Sequence, residues 1–142
     1  MGAATVLMAS GEDLPENVKV VIADCGYTSE WDEFQREADT LHIPWFPVLN
    51  ATSVLSKVRD GYDFKQASAL AQVKKSRIPT LFIHGSSDEL VPYSMLGELY
   101  AAAACEKEEL TVEGSGHALS SSVAPTLYWR TVEDFIAKYL DR

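Results

Sequence analysis

An acidic residue and a histidine each follow a short apolar run in the second half of this sequence. Asp88 comes shortly after the run 79–84, and His117 comes shortly after the run 109–113. In an open parallel sheet, ligands bind just past the carboxyl ends of the strands, so groups placed there meet at one edge. A carboxylate that accepts the Nδ1 proton of a histidine fixes the ring tautomer and stabilises the imidazolium ion. Asp88 and His117 are therefore predicted to form an acid–base pair.

Each member of this pair also has a structural interpretation. Taken alone, Asp88 reads as a turn or capping residue ahead of the next helix, and His117 reads as a polar residue in a glycine turn. Their matching positions after two consecutive strands favour the functional interpretation. By contrast, His84 ends a buried run and is predicted to hydrogen-bond locally, and His42 is predicted to face solvent. Ser115 lacks the Gly-x-Ser-x-Gly context of a nucleophile elbow.

Three β-branched runs, at 18–23, 79–84 and 109–113, are the elements that would position these residues. The first two are nearly continuous apolar runs, which is typical of strands covered on both faces. Helical patterns lie around them, at 1–10, 29–40, 44–57, 64–75, 93–104 and 125–140. Alternation of strands and helices predicts an α/β fold with a parallel sheet of about three strands and right-handed crossovers. Segment 28–75 is too long for one crossover and is interpreted as a helical lid, or alternatively as a long helical excursion.

Composition excludes several classes of function. The chain has 142 residues, enough for one domain, and a formal net charge of −9. That charge argues against a nucleic-acid surface and against adhesion to anionic membranes. Cys25 and Cys105 have no metal-site spacing, so no structural zinc site is predicted. No Lys or Arg precedes Lys19, so no signal peptide is predicted, and a cytoplasmic location is expected.

The stretch "HGSSDELVP" at 84–92, followed by "GSGH" at 114–117, resembles the last third of the α/β-hydrolase fold. The stretch "ADCGYTS" at 23–29 resembles the end of the sixth strand of that superfamily, where the lid insertion begins. The resemblance implies a serine hydrolase of the esterase, lipase or peptidase type, acting on a small-molecule ester or amide. It implies that Asp88 orients His117, that His117 is the general base and then the general acid, and that no metal or cofactor is needed.

The opening residues "MGAATVLMAS" resemble the helix that follows the nucleophile serine in this superfamily. The chain is therefore expected to begin just after its nucleophile, with Met1 at a backbone position of the oxyanion hole. No Gly-x-Ser-x-Gly occurs in the sequence, and Cys25 lacks the corresponding Gly-x-Cys-x-Gly context. The chain is expected to be inactive alone. Tyr27 and Trp45 are candidate substrate-pocket residues. The alternative is a non-catalytic remnant that associates with itself or binds a partner.

The same resemblance predicts an unpaired edge on the first strand. In the superfamily this strand pairs with a fifth strand, so residues 20–22 would lack a neighbour. Val6, Leu7 and Met8 on the first helix would also lose part of their cover. Because long apolar edge strands are templates for pairing, the chain is expected to form a homo-oligomer or to pair with the missing N-terminal half.

Overall fold

Three parallel strands form a single sheet in the computed structural model, which describes residues 1–140. The strands are β1 (Val21–Asp24), β2 (Thr80–Gly85) and β3 (Lys107–Val112), in the order β1-β2-β3. Val21 of β1 aligns with Thr80 of β2, and Ile83 of β2 aligns with Leu110 of β3. Seven helices are described with them: α1 (Gly2–Ala9), α2 (Glu30–Thr40), α3 (Trp45–Asp60), α4 (Ala69–Val73), α5 (Ser94–Ala102), α6 (Ser120–Val123) and α7 (Pro125–Leu140). The predicted α/β class and parallel three-stranded sheet are confirmed.

The central strand β2 is buried along its whole length because helices cover both faces of the sheet. Successive side chains of a strand point to opposite faces. Phe82 accordingly packs with residues of α1, α4 and α5 in one apolar cluster. Leu81 and Ile83 pack on the other face against Val132 and Phe135 of α7. Burial on both faces explains why this run is almost entirely apolar.

The helix predicted at 64–75 is confined to α4. Ser68 caps it, since the Ser68 hydroxyl accepts the backbone N–H of Ala71. Ahead of this cap, the Asp63 carboxylate accepts the backbone N–H of Lys65, which holds the chain in a turn. Phe64 therefore lies outside the helix and packs edge to face against Phe34 of α2. Local side-chain to backbone hydrogen bonds compete with helix here.

Helix α1 packs against β1 and α4, and this corrects one expectation about its exposure. Leu7 is fully buried in the core cluster, because α4 and α5 cover it, whereas Val6 is 40% exposed. Within residues 1–140, β1 pairs with β2 alone and so lies at an edge of the sheet. None of the helices in that range combines the length and the apolar character needed to span a membrane.

Candidate active site

The loops after β2 and β3 are held against each other at the carboxyl edge of the sheet. The backbone N–H of Ser87 donates to the Ser115 carbonyl at 3.0 Å, and the Ser86 hydroxyl donates to the Glu113 carboxylate at 3.0 Å. Gly85 permits this approach, because a Cβ atom there would lie 2.2 Å from the Ser115 carbonyl oxygen. The two loops therefore form one rigid platform.

Asp88 and His117 meet on this platform, as the strand-end argument predicted. His117 Nδ1 lies 2.8 Å from Asp88 Oδ2. His84 Nε2 lies 3.3 Å from the same oxygen and 3.0 Å from the Val91 carbonyl, so this ring nitrogen carries a proton. Asp88 Oδ1 accepts the backbone N–H groups of Leu90 and Val91, each at 2.9 Å. The carboxylate therefore faces four donors, one for each lone-pair site.

This shell of donors keeps Asp88 ionised although its side chain is fully buried. Burial raises the pKa of Asp88, but hydrogen bonds from the Val91 backbone and the His117 ring hold that pKa below its usual range. An ionised Asp88 requires a donor on the facing ring nitrogen. His117 is thereby fixed as the tautomer with its proton on Nδ1, and Nε2 is free to accept a proton.

Cys25 is a third member of this cluster that the sequence argument left out of the site. It follows β1 in a left-handed backbone conformation, with φ of 58°, and it is buried. Its Sγ accepts the backbone N–H of Ala118 at 3.3 Å, and its thiol proton reaches Asp24 Oδ1 at 3.2 Å. Burial raises the pKa of the Cys25 thiol to about 12, so the thiol is not an activated nucleophile. The sequence analysis considered Cys25 only as a nucleophile; its position at the end of the first strand is the signal that places it beside Asp88 and His117.

Helix α2 covers the platform from one side and brings two further residues that the sequence analysis did not identify. The Arg36 guanidinium donates to the Glu89 carbonyl at 3.4 Å, next to Asp88, and to the Glu33 carboxylate at 3.2 Å. Burial raises the pKa of Glu33, while the charges of Arg36 and His117 oppose that rise. The second oxygen of Glu33 is buried and has no hydrogen-bond partner among residues 1–140. Helix α2 thus places a charged pair within electrostatic range of His117.

Of the remaining predicted site residues, Tyr27 packs with Val91, which follows Asp88 in the same loop. Tyr27 is buried in a small apolar cluster with Ala4 of α1 and Val91. Because this cluster joins α1 to the residues after β1 and β2, the amino end of α1, where Met1 is the N-cap, lies at the same edge of the sheet. Trp45 begins α3, is half-buried and contacts Phe46 edge to face. The functional roles assigned to Met1, Tyr27 and Trp45 stay predictions.

A cavity of about 350 Å³ lies away from Asp88 and His117. Its lining includes Glu12 and Val18, which precede β1, and Arg77 and Ile78, which precede β2, so it lies at the amino ends of these strands. In a parallel sheet this is the edge opposite to Asp88 and His117, so the cavity is separate from the acid–base pair.

Comparison with known proteins places the chain in a family and supports the fold. The profile of the prolyl oligopeptidase family matches residues 1–142. An uncharacterized Bacillus subtilis protein, YqkD, is 31% identical over 139 residues; the match covers 96% of this chain and 45% of that protein. The chain therefore spans about half the length of this curated relative.

Solved structures show the same fold at low sequence identity. The acylaminoacyl peptidase of Pyrococcus horikoshii matches with a TM-score of 0.71 and 16% identity, over 98% of this chain and 22% of that chain. An esterase domain from Rhodothermus marinus matches with a TM-score of 0.67 and 16% identity, over 97% of this chain and 58% of that chain. An acetyl xylan esterase from Paenibacillus sp. R4 matches with a TM-score of 0.65 and 17% identity, over 98% of this chain and 43% of that chain. The fold is the C-terminal part of an α/β-hydrolase, as the motifs predicted.

Proposed function

Because this chain belongs to the prolyl oligopeptidase family, we propose that it supplies the acid and the histidine of a serine hydrolase acting on small esters or amides. The observation that carries the proposal is the hydrogen bond of 2.8 Å between His117 Nδ1 and the buried carboxylate of Asp88. In this arrangement His117 Nε2 takes the proton of an attacking serine hydroxyl and then passes it to the leaving group. Asp88 orients the ring and stabilises the imidazolium.

The nucleophile in this proposal lies outside the 142 residues. The sequence contains no Gly-x-Ser-x-Gly, and Ser115 is fully buried. The Cys25 thiol, with its pKa raised by burial, does not replace it. Met1, at the amino end of α1, would offer its backbone N–H to the oxyanion once a serine precedes it. The chain alone is therefore proposed to be inactive.

The segment 28–75 is proposed to act as a lid in the whole enzyme. Arg36 fastens α2 to the loop of Asp88, so α2 already borders the acid–base pair. Helix α3 lies further out and exposes the apolar side chains of Phe46, Val54, Leu55 and Val58. Tyr27 and Trp45 are proposed to line the acyl pocket beneath it. A cytoplasmic location is proposed for the whole protein.

A hybrid protein tests this function. It joins, ahead of Met1, the part of the Bacillus subtilis relative that precedes the region matched by this chain. Hydrolysis of a p-nitrophenyl ester is then measured for the hybrid and for its His117→Ala and His42→Ala variants. His42 is the matched control, since it is an exposed histidine outside the site. We expect the rate to fall at least ~10³-fold in H117A and to stay unchanged in H42A.

Two results would contradict the proposal. One is a folded hybrid whose turnover survives H117A. The other is a folded hybrid with no turnover and no labelling by a fluorophosphonate probe. The second result would favour the alternative function, a non-catalytic module that associates with a partner or with itself. The absence of a nucleophile motif from the sequence is the observation behind that alternative.

A further inference from the structure

Cys25, Asp88 and His117 come from the ends of three different strands and converge on one point. Their ligand atoms, one from each residue, all lie within 4.8 Å of one another. Cys25 and Asp88 are buried, while the His117 side chain is 28% exposed and gives access from solvent. We propose that these three residues form a site for a thiophilic divalent cation such as Zn²⁺, and that the bound ion withdraws His117 from catalysis.

The donor set suits zinc and its spectroscopic substitutes. One sulfur, one imidazole nitrogen and one carboxylate oxygen are ligands that Zn²⁺ accepts in tetrahedral sites, with a water in the fourth position. Mg²⁺ and Ca²⁺ require more oxygen ligands than this cluster offers. Zinc-ligand bonds of about 2.0–2.3 Å place the ligand atoms roughly 3.3–3.7 Å apart. The Asp88–His117 pair, now at 2.8 Å, would have to open by less than ~1 Å.

Charge and hydrogen bonding also favour an ion here. One thiolate and one carboxylate neutralise a divalent cation, so the filled site carries no net charge into buried surroundings. The Ala118 N–H already donates to Cys25 Sγ, and the Leu90 and Val91 N–H groups already donate to Asp88 Oδ1. The donors to Asp88 Oδ1 orient the carboxylate and leave Oδ2 for the ion, while the Ala118 N–H donates to the sulfur ligand itself, as an outer contact to a thiolate does. Such outer contacts commonly raise metal affinity 10–100-fold.

Binding proceeds with a simple proton balance and no change of oxidation state. The thiol of Cys25 releases its proton to solvent as the Sγ–metal bond forms. The Nδ1 proton of His117 leaves, and Nε2 takes up a proton from solvent, so the ring stays neutral and binds through Nδ1. One proton is released for each ion bound. With Nδ1 on the metal and Nε2 protonated, His117 no longer acts as a general base. This inhibition, unlike metal binding itself, rests on the proposed function.

Cobalt titration of the complete, reduced chain tests the site without any assay of hydrolysis. A thiolate bound to tetrahedral Co²⁺ gives a sulfur-to-cobalt charge-transfer band in the near ultraviolet. Cys25→Ser is compared with Cys105→Ser, which removes the second cysteine of the chain. We expect C105S to keep the band. We expect C25S to lose the band and to bind Co²⁺ at least ~10-fold more weakly.

X-ray absorption at the zinc edge of the unmodified chain gives an independent readout that needs no variant. One sulfur at about 2.3 Å and nitrogen or oxygen neighbours at about 2.0–2.2 Å support the site. A zinc shell without sulfur, or a charge-transfer band that persists in C25S, would overturn it.

Inhibition of ester hydrolysis by Zn²⁺ is measured on the active hybrid protein described under the proposed function. We expect C25S to need at least ~10-fold more Zn²⁺ for half inhibition than the unmodified hybrid. Equal inhibition of both would refute the inhibitory role. If the hybrid shows no turnover at all, the proposed function fails, whereas the cobalt result still decides whether the metal site exists.

Discussion

Replacing Asp88 by Asn tests whether the buried carboxylate organises the two loops, because this change keeps the shape and removes the charge. In the folded chain, Oδ1 accepts two backbone N–H groups, while Oδ2 faces ring nitrogens of His117 and His84 at 2.8 and 3.3 Å. The amide of Asn has only one oxygen. With the amide oxygen toward the Leu90 and Val91 N–H groups, the NH₂ group opposes the His84 Nε2 proton, and His117 can accept from it only by moving its own proton from Nδ1 to Nε2. Removing the charge from this buried site should lower the free energy of unfolding by about 3–5 kcal/mol, the range for breaking a buried charge pair.

Urea unfolding at pH 7, followed by circular dichroism and tryptophan fluorescence, measures this loss. Asp134→Asn is the matched control, because the Asp134 side chain is 75% exposed and lies 3.7 Å from an exposed Arg130. Its expected effect is within about 0.5 kcal/mol. A D88N variant that unfolds within about 1 kcal/mol of the unmodified chain would refute the hydrogen-bond argument.

A second check is the pH dependence of the difference in free energy of unfolding between D88N and the unmodified chain. The donors around Asp88 lower its pKa in the folded state. A lowered pKa means that the stabilisation is fully present above the unfolded value of about 3.9 and is lost as the pH falls through the folded value. The gap between D88N and the unmodified chain should therefore narrow below about pH 4. A gap of constant size down to pH 2.5 would show that the charge of Asp88 is not its source.

Four further outcomes are expected. Gly85→Ala should lower the free energy of unfolding by about 1–3 kcal/mol, since its Cβ would lie 2.2 Å from a backbone carbonyl oxygen. Gly97→Ala in α5 should not destabilise, since its Cβ would have no atom of residues 1–140 outside its own helix backbone within 4 Å. Chemical denaturation compares the two variants. The 142-residue chain alone should hydrolyse p-nitrophenyl acetate no faster than free imidazole, and turnover abolished by His117→Ala would contradict this. Buried Cys25, with its raised pKa, should react with a thiol reagent at pH 8 more slowly than half-buried Cys105, as single-cysteine variants would show. Sedimentation at micromolar concentration should detect self-association through the open edge of β1, and a compact stable monomer would count against it.

The buried carboxylate also explains why three loops converge at this edge. Asp88 cannot be buried as an anion unless donors surround it, and those donors come from its own loop, from β2 and from the loop after β3. Cys25 adds the loop after β1, because its Sγ accepts the Ala118 N–H. The hydrogen bonds made by Asp88 and by Cys25 together join the ends of all three strands. This is why we expect the D88N effect to be large compared with that of an exposed carboxylate.

The sequence by itself determined the sheet and the acid–base pair. An apolar run covered on both faces has one stable environment, the middle of a parallel sheet, and β2 occupies it. Residues that follow neighbouring parallel strands must share an edge, so Asp88 and His117 were predictable from their positions alone. The helix beginning at Glu30 was equally readable, because the Ser29 side chain caps it by accepting the Asp32 N–H. These features depend on local periodicity and on topology, which the order of residues encodes directly.

Only the tertiary structure decided which groups surround that pair. Cys25 and Ala118 are far apart in the chain, yet they are joined by a hydrogen bond, and both adopt a left-handed backbone conformation, with φ of 58° and 56°. Glu33 and Arg36 carried no signal in the sequence, yet Arg36 of α2 contacts the Asp88 loop and both side chains are partly buried. Leu7 was likewise expected to lose part of its cover, but it is fully buried in a cluster with residues of α4 and α5. Burial and approach depend on how separate elements pack, and periodicity carries no information about the distance between them.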